Sequence, residues 1–515
     1  MNGAESLVRT LLACGVDTCF ANPGTSEMHF VAALDRVPGM RCVLGLFEGV
    51  VTGAADGYGR MQDRPAATLL HCGPGLANGL ANLHDARRAR TPIVNLVGDQ
   101  ATYHRPLDPP LASDAEGIAR PVSAWVRTAT EAASVGRDAA AAVQAAQTAP
   151  GGSATLILPS DTCWDEGGIV AEMLPVPPAP KAAPGQVEDA ARALRDARSR
   201  REVVLLLGGR ALREAPLDAA NRIVAATGAR LLCEQANGRV ERGRGRVPVE
   251  RVPYPVDQAL AALAGTKHLI LVGAQTPVSF FAYPGKPGRM WPPECQVHVL
   301  ARPEQDGPDA LARLVDALGV GDAPLQEVEP PPGPARGTVT SEAVAQTVAA
   351  LLPEAAIIVD ESVSFGRSFY PGTAGAPPHD WLQITGGAIG WGLPAATGAA
   401  MGAPGRRVVN LEADGSALYT VQALWTQARE RLDVTTVILS NRKYAILLGE
   451  YRGVGANPGR TALDMLDLGN PDLDWIAIAA GMGVEAARAE TMETFADLFA
   501  QANARPGPFL IELVI

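Results

Sequence analysis

A chain of 515 residues, 47% of them hydrophobic and 19% charged, has the composition of a globular protein with roughly two to four domains. The formal net charge of −11 argues against a general nucleic-acid binder, because phosphates would be repelled wherever no local basic patch offsets that charge. No basic segment leads into a long apolar run near Glu5, and no stretch is apolar enough to span a bilayer, so we predict neither a secretory signal nor a membrane partner.

The cysteine pattern predicts free thiols. There are seven cysteines, an odd number, and no two of them have the two-residue gap of a zinc or redox motif. Reduced thiols are the simplest interpretation, and we therefore expect a cytoplasmic protein.

Two proline-rich stretches divide the chain into three parts of similar size. They cover 175–184 and 324–334, and both are typical of extended linkers, because proline lacks a backbone donor and disfavours helix. We predict domains at 1–165, 185–322 and 338–515.

Each part alternates short aliphatic runs with Ala- and Leu-rich helical patterns. The runs are apolar on both faces, as parallel strands buried between helices must be. We predict strands at 67–71, 93–98, 155–158, 203–208, 231–233, 269–273, 297–300, 356–360, 408–412, 434–439 and 509–515, and helices at 139–147, 187–197 and 341–352. The pattern predicts an α/β protein of three doubly wound parallel-sheet domains, with ligands beyond the carboxyl ends of the strands.

Polar residues follow two neighbouring strands of the third part. Asp414 and Asn441 are separated by 441 − 414 = 27 residues, enough for one helix and one strand. Their side chains would emerge at adjacent strand ends, where oxygen donors suit Mg²⁺ and Gly415 lets the backbone approach a diphosphate. Taken singly, a turn at Asp414 and a helix cap at Asn441 are simpler alternatives.

This arrangement resembles the thiamine-diphosphate motif of the 2-oxo acid decarboxylase and acetohydroxyacid synthase superfamily. The family motif begins Gly-Asp-Gly and ends with an asparagine pair, whereas this chain has Ala413 and Ser440 at the first position of each. The resemblance implies that Asp414, Asn441 and the carbonyl of Lys443 bind Mg²⁺. It also implies cofactor contacts at Asp414, Gly415, Ser416, Asn441 and Tyr444.

Two further segments of the third part resemble cofactor contacts of this family. Segment 385–394 is similar to the one that grips the aminopyrimidine ring: Ile389 would be the wedge that bends the cofactor, and the carbonyl of Gly387 would hold the 4′-amino group. A glycine-rich turn is the alternative, but it leaves the bulky Ile389 unexplained. In 361–364, Ser364 would contact the diphosphate.

The first part resembles the benzoylformate decarboxylase branch of the family in three segments, 21–27, 46–50 and 69–75. Glu48 corresponds to the cofactor-activating glutamate, whose carboxylate against pyrimidine N1′ promotes proton exchange within the bent cofactor. His71 lies 71 − 48 = 23 residues further on and would transfer protons near the substrate. Thr25 replaces a serine that contacts the substrate carboxylate. A surface glutamate and a structural histidine are the alternatives when each is taken alone.

One expected residue of that branch is missing. The matching stretch of the middle part, 273–285, has Phe280 where a second catalytic histidine is expected, although His104 lies in a loop comparable to one of pyruvate decarboxylase. Release of an aldehyde therefore competes with transfer of the acyl unit to a second carbonyl. Ile446 and Leu447 would form an apolar wall beside the substrate, and burial in an ordinary helix core is the alternative. Glu450 replaces an aromatic residue of that branch.

The resemblance implies a thiamine-diphosphate- and Mg²⁺-dependent enzyme that cleaves or forms the C–C bond next to a 2-oxo acid carbonyl, as a decarboxylase, a carboligase or both. An acetolactate-synthase-like or acyl-CoA-lyase-like carboligase without simple aldehyde release is the alternative. Its small-molecule partners would be a 2-oxo acid and an aldehyde acceptor. FAD is not supported, because the middle part has no dependable flavin signature.

Assembly follows from the same resemblance. Glu48 of one subunit would meet the Asp414 loop of another, so we expect a homodimer that forms the active site, within a homotetramer. Two other classes remain: a non-catalytic cofactor-binding homologue, which intact Glu48, Asp414 and Asn441 argue against, and a dinucleotide dehydrogenase. The second lacks a G-x-G-x-x-G segment with a suitable acidic partner.

Overall fold

The computed structural model describes residues 1–196 and 202–515, and it contains three sheets of mainly parallel strands. Apolar side chains on the two faces of each sheet belong to different hydrophobic clusters, so helices cover both faces. The three-sheet α/β fold is confirmed. The chain has no helix or strand at 167–183 or 320–340, where the proline-rich linkers were expected.

The first sheet has the order β2-β1-β3-β4-β6-β5, with all strand pairs parallel. Its elements are α1 (Gly3–Ala13), β1 (Thr18–Asn22), α2 (Met28–Arg36), β2 (Arg41–Leu44), α3 (Glu48–Gln62), β3 (Ala66–Leu70), α4 (Cys72–Ala89), β4 (Ile93–Asp99), α5 (Ala115–Ala119), β5 (Trp125–Thr128), α6 (Ala132–Gln147), β6 (Ser153–Pro159) and α7 (Ser160–Trp164). His71 lies just after β3 rather than inside it, because the backbone turns there into α4.

The second sheet has the order β10-β8-β7-β11-β12 and is also parallel. Its region contains α8 (Pro184–Asp196), β7 (Val203–Leu207), α9 (Glu214–Thr227), β8 (Arg230–Cys233), β9 (Val240–Arg242), β10 (Glu250–Arg251), α10 (Val256–Leu263), β11 (His268–Val272), β12 (Gln296–Ala301) and α11 (Gly307–Leu318). The predicted helix 187–197 ends at Ala197, which lies outside the described residues.

The third sheet has the order β17-β18-β16-β15-β13-β14-β9, and β9 joins its edge antiparallel to β14. Its elements are α12 (Ser341–Leu351), β13 (Ile357–Glu361), α13 (Phe369–Gly372), β14 (His379–Gln383), α14 (Gly392–Gly402), β15 (Val408–Ala413), α15 (Asp414–Ala417), α16 (Ala423–Glu430), β16 (Val434–Ser440), α17 (Ala445–Gly453), α18 (Arg460–Asp464), α19 (Trp475–Gly481), β17 (Glu485–Ala489), α20 (Met492–Ala504) and β18 (Phe509–Val514). One strand of the middle region therefore extends the sheet of the last.

The first and third sheets are joined through α3 and α14, which pack at backbone contact. A Cβ on Gly398 would lie 1.7 Å from the carbonyl oxygen of Ala54. Beside this contact, buried Asp56 forms an ion pair with Arg60 and accepts a 2.6 Å hydrogen bond from Trp391 Nε1. Arg60 also donates to the carbonyl of Gln383 at 2.6 Å. Charged and polar groups thus tie the two sheets together inside their interface.

Over residues 1–196 and 202–515, no helix has both the length and the apolar character needed to cross a bilayer.

We expect Arg60→Ala to destabilise the fold by about 3 kcal/mol, because the buried Asp56 carboxylate would lose its counter-ion. Urea unfolding of the full chain checks this. Arg120→Ala is the matched control, since Arg120 pairs with Glu116 on the surface and such pairs contribute roughly 0–1 kcal/mol. Equal losses in the two variants would contradict the importance of the buried pair.

Candidate active site

The carboxyl ends of β13, β15 and β16 lie side by side at one edge of the third sheet. The chain runs from β13 to β14 on one side and then returns to β15 on the other, so the strand order reverses between β13 and β15. Crevices at such a reversal are where open parallel sheets bind ligands. Asp414 follows β15 and Asn441 follows β16, and both therefore lie at this edge.

The loops that carry these two residues touch. Buried Asp414 accepts hydrogen bonds from the backbone N–H of Gly415 at 2.8 Å and of Arg442 at 2.6 Å. Burial raises the pKa of Asp414, and these N–H groups oppose the shift. Asn441 Oδ1 accepts from the backbone N–H of Lys443 at 3.0 Å, which folds 441–443 into a turn. The loops that carry Asp414 and Asn441 thus meet at one edge, and carboxylate, carboxamide and carbonyl oxygens are the kind of donor set that suits Mg²⁺.

The two departures from the family motif fit this backbone. Ala413 has φ −75° and ψ 140°, an extended conformation that residues with a side chain adopt without strain. Ser440 is the last residue of β16 and is buried. Next to them, the ring of Tyr444 lies 2.5 Å from where a Cβ on Gly415 would stand, and Ser416 is buried in the same turn.

The glycine-rich segment 385–392 is fixed from two sides. Glu361, the last residue of β13, accepts from the N–H of Gly390 at 2.7 Å and of Gly392 at 2.5 Å. Asp85 of α4 accepts from the N–H of Gly386 at 2.7 Å. Burial raises the pKa of Glu361 to about 7 and raises that of Asp85. Glu361 and Asp85 were not predicted in these roles. The only sequence signal for Glu361 is its position as an acid at the end of a buried strand.

Gly387 and Ile389 remain available to a ligand. Gly387 is exposed and has φ +76°, a conformation that favours glycine. Ile389 is half-buried and follows within two residues. Ser364 is also half-buried, and it precedes a short 3₁₀ turn at Phe365–Ser368. These three predicted cofactor contacts therefore retain accessible surface.

Glu48 lies at the carboxyl edge of the first sheet, as the first residue of α3. Its side chain is buried, with 8% exposed, and accepts a 3.0 Å hydrogen bond from Asn78 Nδ2. A Cβ on Gly75 would stand 2.7 Å from its Oε1. The carboxylate is thus held by α4 next to a glycine that leaves space beside it.

His71 is oriented by an acid. Its Nδ1 lies 2.9 Å from Glu27 Oε2, which favours the tautomer with hydrogen on Nδ1 and leaves Nε2 free to exchange protons. Glu27 is itself buried and accepts from the N–H of Gly24 at 2.7 Å. Ser26 Oγ lies 3.2 Å from the same His71 nitrogen and 3.1 Å from Cys72 Sγ. Burial raises the pKa of Cys72 to about 11, so it stays a thiol at neutral pH.

A cleft of ≈ 320 Å³ brings several predicted residues together. It is lined by Thr25, Ser26, His71, Cys72, Gln100, Ala101, Tyr103, His104, Leu111, Ser160 and Trp164. Thr25 and His104 are exposed, and His71 is partly buried. Thr25 and His71, the predicted substrate-contact and proton-transfer residues, thus share one cavity.

Aromatic side chains of the middle region lie next to the glycine-rich segment of the third sheet. A Cβ on Gly387 would lie 2.5 Å from the ring of Phe280, which packs on Tyr254 at 5.5 Å between ring centroids. The hydroxyls of Tyr254 and Tyr283 donate to Glu450 on α17 at 3.3 and 2.9 Å. Ile446 is half-buried and Leu447 is exposed on the same helix. Phe280 therefore stands beside the glycine that would hold the aminopyrimidine.

Within the described residues of one chain, the two groups of predicted residues make no polar contact with each other, although α3 and α14 pack together between them. Across the described ranges, no hydrogen bond or ion pair joins Thr25, Glu48 or His71 to Asp414 or Asn441. The predicted proton-transfer residues therefore lie at the first sheet and the predicted metal ligands at the third.

Comparisons with known proteins agree with this division. Residues 1–118 match the N-terminal TPP binding domain of the thiamine pyrophosphate enzymes, and residues 371–513 match their C-terminal TPP binding domain. The Mycobacterium tuberculosis protein named "Putative acetolactate synthase large subunit IlvX" is 55% identical over 520 residues, 100% of this chain and 99% of that protein.

Two other similarities point the same way. Benzoylformate decarboxylase of Pseudomonas aeruginosa is 32% identical over 97% of this chain and 96% of its own length. The solved structure of Rhodococcus jostii RHA1 thiamine diphosphate-dependent 4-hydroxybenzoylformate decarboxylase has a TM-score of 0.83 at 26% identity, over 99% of this chain and 98% of that one. The chain thus belongs to the thiamine pyrophosphate enzyme family, as a thiamine-diphosphate-dependent enzyme related to both benzoylformate decarboxylase and acetolactate synthase.

Proposed function

We propose that this enzyme cleaves the bond between the carboxyl and carbonyl carbons of a small 2-oxo acid, with thiamine diphosphate and Mg²⁺ bound. The observation that carries the proposal is the contact of the Asp414 and Asn441 loops at one sheet edge, through the 2.6 Å hydrogen bond from Arg442 N–H. A cytoplasmic setting belongs to this proposal, and the seven free cysteines support it.

Mg²⁺ and the diphosphate would be held at that edge. Asp414, Asn441 and the Lys443 carbonyl supply oxygen ligands, and Ser364, Gly415, Ser416 and Tyr444 would surround the phosphates. The four-residue helix α15 is too short to hold an anion by itself, so the charge of the diphosphate would be balanced mainly by the metal.

The aminopyrimidine would lie between Gly387, Ile389 and a Glu48 carboxylate. Within a chain, Glu48 accepts a hydrogen bond from Asn78 of its own N-terminal region, and we propose that it faces the Gly387 segment of a second copy. A homodimer that forms two such sites, within a homotetramer, completes the arrangement. When bound, thiamine diphosphate supplies the carbon nucleophile and the electron sink for loss of CO₂.

The chain's own residues would manage protons and exclude water. Glu48 would share a proton with pyrimidine N1′ from a nearly buried position, which keeps bulk water from competing for that proton. His71, oriented by Glu27, would exchange a proton at Nε2 with a substrate atom. Thr25 would donate its hydroxyl to the substrate carboxylate, and Ile446 and Leu447 would cover the substrate's apolar side.

A second outcome, carboligation, is favoured by Phe280. A phenyl ring cannot donate the proton that frees an aldehyde, and it lies where a Gly387 side chain would stand. With that donor missing, transfer of the acyl unit to an aldehyde or a second 2-oxo acid competes better with aldehyde release. The chain would then act as an acyl transferase rather than as a carboxy-lyase.

A panel of 2-oxo acids, each with and without an added aldehyde, tests the proposed function. We expect CO₂ release from at least one acid only when thiamine diphosphate and Mg²⁺ are both present, and its loss on chelation. Glu48→Gln should lower kcat by about 10²-fold or more, because amide and carboxylate differ in proton exchange. Glu172→Gln, on the surface, is the control and should match the unaltered enzyme. Undiminished turnover by Glu48→Gln would refute its role.

Gly387→Ala tests the placement of the aminopyrimidine. At φ +76° a methyl group costs about 1 kcal/mol, and here it would also meet the Phe280 ring. We expect thiamine diphosphate to bind about tenfold more weakly or worse, measured by calorimetric titration. Gly405→Ala carries the same backbone cost at φ +83° but faces open space, so its affinity should not change. Equal affinities in the two variants would count against the assignment.

Phe280→His tests the choice between the two outcomes. The imidazole would restore a proton donor beside Gly387, and we expect the ratio of aldehyde to ligation product to rise severalfold, as read by chromatography. Phe281→His places the histidine one residue further on, in place of the exposed neighbouring ring, and serves as the control. A ratio that rises equally in both variants, or in neither, would remove Phe280 as the determinant.

A further inference from the structure

Two cysteines stand directly opposite each other on the first sheet. Cys19 of β1 and Cys42 of β2 are Cα partners in the parallel register. Adjacent strands lie about 4.8 Å apart, which falls within the range of about 4.4–6.8 Å between Cα atoms joined by a disulfide. The backbone therefore already brings the two residues within bridging distance.

Both side chains project from the same face of the sheet. Their neighbours Phe20 and Val43 are also register partners, and both belong to the hydrophobic cluster on one face. Cys19 belongs to the cluster on the opposite face, together with Ala21. Because side chains alternate along a strand, Cys42 projects to the face of Cys19 as well.

The two thiols differ in access, as an attacking and a resolving thiol do. Cys42 is exposed on the edge strand, while Cys14, Cys19, Cys72, Cys163, Cys233 and Cys295 are buried. Interaction with the Cys19 thiol lowers the pKa of Cys42, whereas interaction with Cys42, together with burial, raises the pKa of Cys19. Cys42 is thus the thiol that solutes reach and the one that ionises more readily.

We propose that Cys19 and Cys42 form an oxidation site that closes to an intramolecular disulfide when a low-molecular-weight disulfide reaches Cys42. The Cys42 thiolate attacks one sulfur of that disulfide, and one small thiol leaves. Cys19 then attacks the Cys42 sulfur, and its proton goes to the second small thiol as that leaves. Two protein thiols are oxidised and one external disulfide is reduced to two thiols, so atoms and electrons balance.

A bond between Cys19 and Cys42 would lie next to the loops that carry Thr25 and Glu48, whichever reaction the enzyme performs. β1 leads into Asn22, whose Nδ2 donates to the carbonyl of Gly45 at 2.7 Å, and β2 leads through Gly45 to Glu48. The bond would join the two strands at the base of the loops that carry Thr25 and Glu48. An exposed partner on an edge strand also keeps the bond open to reduction by small thiols.

Treatment of the full-length holoenzyme with oxidised glutathione, followed by alkylation and peptide mass mapping, tests the proposal. We expect one cross-linked pair of peptides carrying Cys19 and Cys42, lighter by two hydrogen atoms and lost on reduction. Cys42→Ser should abolish it, and Cys295→Ser should leave it intact. A lasting glutathione adduct on Cys42, a disulfide between two chains, or unmodified Cys42 would each overturn the proposal, whether or not the proposed function holds.

Discussion

Packing of α3 against α14 is the contact on which the rest of the site depends. At this crossing a Cβ on Gly57 would lie 2.0 Å from the carbonyl oxygen of Ala395, and one on Gly398 would overlap Ala54, so the backbones themselves touch. Close packing of this kind resists change, because interiors have little free volume into which a side chain can move. Within a chain, this contact therefore fixes the position of Glu48 relative to the glycine-rich segment, because Glu48 begins α3 and that segment leads into α14.

The glycine-rich segment derives its shape from acids on both sides of that contact. Glu361 of the third sheet and Asp85 of the first both accept its backbone N–H groups. Buried carboxylates are costly, and here burial raises the pKa values of Asp85, Glu361 and Glu412. Hydrogen bonds from the tight loop offset the cost of burying Glu361 and Asp85, because the N–H groups of that loop need acceptors and no regular strand or helix supplies them. The same loop then presents Gly387 and Ile389 outward.

The sequence predicted the parts of the site that depend on local pattern. Aliphatic runs indicated β15 and β16, and the interval from Asp414 to Asn441 was enough to predict adjacent loops, which the Arg442 N–H contact now demonstrates. It could not predict features set by pairing between distant segments. β9 joins the third sheet only through its register with β14, and the role of Asp85 depends on α4 reaching a loop about 300 residues away. The pairing of Cys19 with Cys42 likewise needed the register of two strands.

The middle region affects the site by a different physical route from the other two. Its Phe280 ring lies beside the Gly387 backbone, and its Tyr254 and Tyr283 hydroxyls hold Glu450. Within 1–196 and 202–515, no hydrogen bond or ion pair joins the middle region to the proposed metal ligands. α17 has no buried residue, and the two tyrosine hydrogen bonds tie the helix that carries Ile446 and Leu447 to the middle region. We therefore expect substitutions in the middle region to alter which carbonyl compounds fit, and whether a proton donor is present, while the proposed cofactor-binding loops remain unchanged.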